Sequence, residues 1–371
     1  MRASLTRRFE PHQNRTTGPV AEIESDFFAE LVTSSVKSSV VTKNSASWSM
    51  NLPTAAVAWS VIVGLAAFYG IRLGYTGRSF ALALGVAAAL FAFELFLAAP
   101  RVLERVRHLF GEHGALLAPL VPLFAVLIYT IGVTANWRTA LLGAAYTVLP
   151  PLLAATCIGK PAGQWQDYAA LLLIWLPVEL RWKGLTFLYV LFPYPPQLMH
   201  TLTILLALST GVAVFVLLRR LDGIGYAVEW RRGFAWIVVL HFVVFAVIAV
   251  VLGLRIGFLT YAPSLARLRT APIEIVGILF FTAWPEEFLF RGVLQNILSR
   301  TFKNQWAGLA VASVAFGFAH IFHAPFPNWK YVFLATVAGL FYGRTWIKTG
   351  SLFPGAIVHA LVDILWHILF R

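Results

Sequence analysis

What most constrains this chain is a succession of apolar runs, each about 20 residues long and each ending in polar or basic residues. A helix of that length crosses the hydrocarbon core of a bilayer. The runs fall at Ala55–Leu73, Phe80–Ala99, Ala115–Val133, Ala140–Ile158, Tyr168–Phe192, Leu198–Leu218, Phe234–Leu254, Pro272–Leu298, Trp306–Phe322, Tyr331–Trp346 and Leu352–Phe370. They imply an all-α, polytopic transmembrane helical bundle of about eleven helices. Composition agrees, with 59% hydrophobic and only 12% charged residues, where a soluble domain runs near a quarter charged. Two runs are irregular: Tyr168–Phe192 carries Pro177, Glu179, Arg181 and Lys183, and Pro119 interrupts Ala115–Val133.

The segment 1–51 is polar and Ser/Thr-rich, and reads as a disordered cytoplasmic tail. Its first arginines are not followed by an apolar core, so it does not read as a secretory signal. Glu22, Glu24 and Asp26 argue against a transit peptide, and Met50, just before the first run, is an alternative start. The net charge of +13 is spread over the ends of apolar runs, where Lys and Arg anchor to headgroups, so no nucleic-acid partner is expected. Arg219, Arg220, Arg231 and Arg232 mark a cytoplasmic loop, and alternation then places Arg101, Arg105, Arg107, Lys160, Arg300, Lys303, Arg344 and Lys348 on its side. Counted this way, roughly 18 basic residues lie inside against about 10 outside. The N-terminus is expected inside and the C-terminus outside, in the plasma or inner membrane if the source is bacterial. The single cysteine, Cys157, lies in an apolar run and reads as a small buried residue.

Charges at membrane depth are costly, about 2.5–3.5 kcal/mol each on insertion scales, and so carry most information. The stretch Trp284-Pro285-Glu286-Glu287-Phe288-Leu289-Phe290-Arg291 places three in one run. Glu286 lies about 14 residues past Pro272, or roughly 21 Å along a helix. Glu287 and Arg291 are four apart with the acid first, the favourable order for a helical ion pair. Glu286 points about 100° away from Glu287 around the helix and is freer to face a cavity. Pro285, lacking an N–H, fits the first position of a helical segment, so a kink is expected with both glutamates in a first turn. Phe316 and His320 share one helical side, and His359 and Asp363 share another. Glu286, His320, His359 and Asp363 can therefore converge from three helices. A carboxylate in a dry pocket is a usable general base for water, and polar donors opposite it can hold a tetrahedral oxyanion.

The ordered set Glu-Glu-x-x-x-Arg, Phe-x-x-x-His and His-x-x-x-Asp on successive apolar helices, with Ser351-Leu352-x-Pro354 before the last, resembles the CAAX-protease and bacteriocin-processing (CPBP, Abi-type) family of intramembrane endopeptidases. That family includes the prenyl-protein CAAX endopeptidases. The resemblance covers residues 272–371, taken as a protease core; residues 52–271 are transmembrane helices of unassigned role. It implies peptide-bond hydrolysis in a membrane-associated or lipidated substrate, with Glu286 and His320 activating water, Glu287 and Arg291 holding the electrostatics, and His359 with Asp363 on the oxyanion side. Relatives that cleave prenylated proteins often carry Asn where Asp363 stands. As ligand types, Glu286, His320, His359 and Asp363 suit Zn²⁺ or another divalent metal, and a metal-free glutamate mechanism stands beside that option.

Blander roles are expected elsewhere. His323 falls in a Pro-rich turn outside the span, Glu179 with Arg181 reads as a pair at a broken helix, and Glu94 is isolated. His367 shares a face with His359 and Asp363 and reads as structural. Two rival functions stay open: a transporter with an intramembrane Glu/His relay, which predicts repeat-related broken helices that the sequence does not show, and a non-catalytic scaffold, which would have lost a motif residue.

Overall fold

The computed structural model describes residues 46–182 and 185–371; residues 1–45, most of the expected tail, lie outside the described residues. Among the described residues twelve helices form an all-α membrane bundle. They are α1 (Leu52–Arg72), α2 (Gly77–Leu97), α3 (Pro100–Gly114), α4 (Leu120–Thr134), α5 (Trp137–Ala155), α6 (Trp165–Glu179), α7 (Pro196–Leu218), α8 (Phe234–Arg255), α9 (residues 265–301), α10 (Gln305–Ala319), α11 (Trp329–Thr349) and α12 (Leu352–Leu369). Five of them, α1, α2, α7, α8 and α12, are long and apolar enough to cross a membrane by length and composition.

α7 is the pillar of the bundle. From Leu202 nearly every side chain to Leu218 is buried, so it is apolar all round, the pattern of a helix surrounded by others. Gly211 lets α9 approach it, because a Cβ there would stand 2.8 Å from the Phe288 ring.

Three features depart from the sequence expectations. The additional helix, α3, is amphipathic rather than spanning: Leu103 is buried while Arg101 and Arg105 are exposed, the arrangement of a helix lying at the membrane surface. The run Tyr168–Phe192 does not form one helix; α6 stops at Glu179, with Pro177 in its last turn and Leu180 extended (φ −63°, ψ 127°). The polar segment is not disordered to residue 51. Ala46–Ser49 pairs antiparallel with Glu229–Arg231, and Met50 N–H donates to Val228 C=O at 2.9 Å. Backbone hydrogen bonds make that tie, which hydropathy does not register. At Pro285 the expectation is met: the proline stands at the start of the helical stretch Trp284–Glu287, with Glu286 and Glu287 in its first turn. Ala283 keeps helical angles (φ −64°, ψ −49°), and a π turn at Leu279–Ala283 precedes the proline. The wider turn absorbs the missing N–H and the ring without breaking the helix.

Hydrogen bonds tie the loops into two opposite faces. Val228 N–H donates to Ala98 C=O, Arg219 to the carbonyls of Cys157 and Lys160, and Arg300 to Asp222 C=O. These loops carry the basic residues expected on one side, together with residues 46–50. At the other face Arg371 exchanges backbone bonds with Thr260, and Lys330 donates to Gly257 C=O.

The firmest of these ties is buried. Arg219 makes two bonds to Asp167, at 2.7 and 3.1 Å, with the two side chains 1% and 0% exposed. Asp167 also accepts from the Gly163 and Gln164 N–H groups at the start of α6. Asp167→Asn should leave the guanidinium buried without its counter-charge, a loss of about 3–5 kcal/mol. A clear fall in melting temperature of the detergent-purified protein is the expected outcome, and an unchanged melting curve would contradict it.

Candidate active site

α9, α10, α11 and α12 bring the polar groups of the C-terminal third to one place. The π turn at Phe288–Gln295 follows the two glutamates directly, and such turns re-aim the side chains around them. Glu287 points into the protein and is fully buried. Its Oε2 pairs with Arg291 Nε at 3.2 Å, and its Oε1 lies 3.0 Å from His359 Nδ1. The expected i,i+4 ion pair therefore forms, and a histidine from α12 closes it from the other side.

Arg291 is 1% exposed. Its Nη1 and Nη2 have no hydrogen-bond partner among the described residues. Instead the guanidinium lies over aromatic faces, 4.2 Å from the Phe316 ring centroid, 5.3 Å from Tyr342 and 5.8 Å from Phe290. Cation–π attraction gains strength where water is excluded, so three rings take the place of the missing acceptors. Phe316 thus supports Arg291 and also packs edge-on against both His320 and His359.

Glu286 turns the other way, into a cavity of about 300 Å³ whose wall also includes His320, His359 and Asp363. His359 Nε2 lies 3.8 Å from Glu286 Oε2 and 3.6 Å from Asp363 Oδ2. His359 is thereby set among Glu286, Glu287 and Asp363, and Tyr342 stacks on its ring at 4.5 Å and 20°. His320 Nδ1 meets the Phe316 carbonyl at 2.9 Å. A carbonyl can only accept, so Nδ1 carries the proton and Nε2 is left as acceptor in the neutral ring. Glu286 Oε2 is buried and has no hydrogen-bond partner among the described residues.

The structure brings Glu286, Glu287, Arg291, His320, His359 and Asp363 into one neighbourhood. It also adds residues that the sequence reading placed elsewhere. His323 lines the cavity and stacks on His320 at 5.6 Å; it sits one turn past His320, a spacing that could have signalled it. Glu179 lines the same cavity and accepts from Trp175 Nε1 at 3.2 Å, because the end of α6 stops beside the site. Tyr331 lies 4.5 Å from the His320 ring. His367 stays apart from the cluster and pairs with Glu274 on α9 at 3.0 Å. Glu94 accepts from the Ser209 hydroxyl at 2.8 Å in the interior between α2 and α7.

As ligand types the four cavity groups would suit a divalent metal, but their placement does not form a cage. His359 Nδ1 is engaged by Glu287, and among the described residues no three His, Cys, Asp or Glu side chains are grouped to hold an ion.

Residues 268–365 match the family model described as Type II CAAX prenyl endopeptidase Rce1-like. The match spans 98 of the 371 residues, and over that region the chain is similar to the Rce1-like endopeptidases of the CPBP family. No curated protein and no solved structure matches the chain. The Rce1-like region runs from the first turn of α9 into α12 and contains all six residues of the cluster. The family that it matches is one of CAAX-type intramembrane peptide-bond hydrolases, and the apolar helices mark the chain as an integral membrane protein.

The pairing separates the two adjacent glutamates experimentally. Arg291→Gln removes the cation from a buried carboxylate and should cost about 3–5 kcal/mol, read as a lowered melting temperature in detergent. Glu286→Gln, at a cavity wall with no ion pair to Arg291, should melt within a few degrees of the wild type. Equal destabilisation by both substitutions would contradict this division of roles.

Proposed function

We propose that the protein is an intramembrane endopeptidase that hydrolyses a peptide bond of a membrane-associated or lipidated protein or peptide. The observation that carries this reading is the contrast between two neighbouring carboxylates. Glu287 is held by Arg291 and His359 at 3.2 and 3.0 Å, whereas Glu286, no nearer than 3.8 Å to His359, presents to a cavity a buried oxygen without a hydrogen-bond partner among the described residues. Such an oxygen is placed to accept a proton from water.

In this mechanism Glu286, assisted by the accepting Nε2 of His320, takes a proton as the water oxygen attacks the scissile carbonyl. The tetrahedral oxyanion forms beside His359. Protonated His359 donates Nδ1–H to Glu287 and offers Nε2–H to that oxyanion, while Asp363 holds the ring. Glu286 then returns its proton to the leaving amine as the C–N bond breaks, leaving an amine and a carboxylic acid that ionises by giving its proton to the amine or to solvent. Apolar lining from α7, α8 and α9, including Ile204, Ala249, Val250 and Leu289, favours a substrate with an apolar or lipidated flank.

Glu286→Gln keeps the shape and removes the base, so cleavage of a quenched-fluorescent peptide panel with farnesylated and unmodified members should fall about 10²–10⁴-fold. A strong chelator should leave the wild-type rate unchanged under metal-free activation; inhibition reversed by one divalent ion would replace this mechanism with a metal-assisted one. Full turnover by Glu286→Gln would overturn the role given to Glu286.

We further propose that the face holding Arg101, Lys160, Arg219 and Arg300 is cytoplasmic, following the basic-loop rule. The cavity then reaches towards the opposite face, since Phe258, His323 and Phe370 line it. Cys157 is buried, so single cysteines can be introduced against a quiet background. Tyr261→Cys should react with an impermeant maleimide added outside cells, and Arg101→Cys only after permeabilisation. The reverse pattern would invert the orientation.

A further inference from the structure

A second concavity lies on the basic face, far in the fold from the protease cluster. It is a groove of about 350 Å³ between the C-terminal half of α2, the surface helix α3, the start of α4 and the end of α7. Its walls are apolar, with Phe93 and Phe96 from α2, Val106 from α3 and Val121 from α4. Two cations, Arg107 and Arg220, are its only charged lining residues among the described residues.

Both arginines are built into place. Arg107 Nη2 donates to Val216 C=O at 2.7 Å. Arg220, in the left-handed region at φ 48°, donates to the carbonyls of Arg107 and Gly111 at 3.1 and 2.5 Å, where α3 breaks. Arg107 Nε is buried with no hydrogen-bond partner, and neither arginine has an ion pair among the described residues. Burial and, after it, the Arg220 charge lower the Arg107 pKa from the usual guanidinium value, with Asp222 and Glu104 acting the other way. Two neighbouring cations with spare donors call for an anion, and an apolar channel leading from them at the membrane surface calls for a hydrocarbon chain.

We propose that this groove binds an anionic phospholipid, its phosphate against Arg107 and Arg220 and an acyl chain along Phe93, Phe96 and Val121. α3 would then be held at the interface by the lipid that it covers. A headgroup phosphate gains from charge-assisted guanidinium bonds, and juxtamembrane basic residues contribute about 1 kcal/mol each towards anionic lipid. The inference is independent of the protease reading.

The test uses the full chain purified in a neutral detergent, followed by native mass spectrometry and thermal unfolding. Added phosphatidylglycerol should be retained and raise the melting temperature; phosphatidylcholine with the same acyl chains should do neither. Glycerol phosphate should not displace retained phosphatidylglycerol, because it lacks the chain. The double variant Arg107→Gln/Arg220→Gln should weaken phosphatidylglycerol retention about tenfold or more. Val121→Trp, which fills the groove and keeps both arginines, should weaken it as well, and it decides the matter if the double variant does not fold. Equal retention of the two lipids, displacement by glycerol phosphate, or retention unchanged by Val121→Trp would overturn the proposal.

Discussion

A carboxylate fully buried in a membrane bundle must be paired, and the rest of the C-terminal architecture is arranged around the pairing of Glu287. Arg291 answers it from one turn further along α9, and His359 answers it from α12. The guanidinium in turn is enclosed by Phe290, Phe316 and Tyr342 from α9, α10 and α11. One charge cluster therefore specifies the mutual position of four helices. Removing water from such a cluster raises the cost of any unpaired member, so the packing that encloses it cannot slip freely. Glu286, one residue earlier, is not paired with Arg291 because the helix turns it towards the cavity.

Glu286 and Glu287 lie in the α-helical stretch between two π turns, where adjacent side chains point about 100° apart, and so one helix presents them to such different surroundings. Behind them α7 supplies an apolar pillar, and Gly211 allows Phe288 to lie against it. The N-terminal helices thus have a definite structural part: α6, α7 and α8 contribute Trp175, Ile204 and Val250 to the cavity wall, while the Rce1-like region contributes Glu286, His320, His359 and Asp363. Loop ties such as Arg219–Asp167 hold the two contributions together at the basic face.

Much of the membrane fold was legible in the sequence, because about 20 apolar residues in a row have few other stable homes. The pairs Glu287–Arg291 and His359–Asp363 were legible for a similar reason: residues four apart on a helix are neighbours whatever surrounds them. The ordered motifs also led to the family match. Hydropathy was blind to α3, whose apolar stripe is too narrow to register as a span. It was equally blind to the pairing of Ala46–Ser49 with Glu229–Arg231, which rests on backbone groups every residue possesses. Proline rules placed Pro285 at the start of a helical stretch, where it stands, but did not signal the π turn that precedes it.

By itself the sequence determined that the chain crosses a membrane as helices, that Glu287 and Arg291 adjoin, and that the histidines lie on later helices of the same region. Only the tertiary structure decided that His359 closes on Glu287, that Tyr342 stacks on that ring, and that Glu179 and His323 enter the cavity. It also decided that Glu286 faces open space with an oxygen to spare. The physical reason is the range of the constraint. Within one helix, backbone geometry fixes which side chains meet, so spacing along the chain suffices. Between helices, contact depends on how ridges, glycines and aromatic rings pack, and no local pattern of residues carries that information.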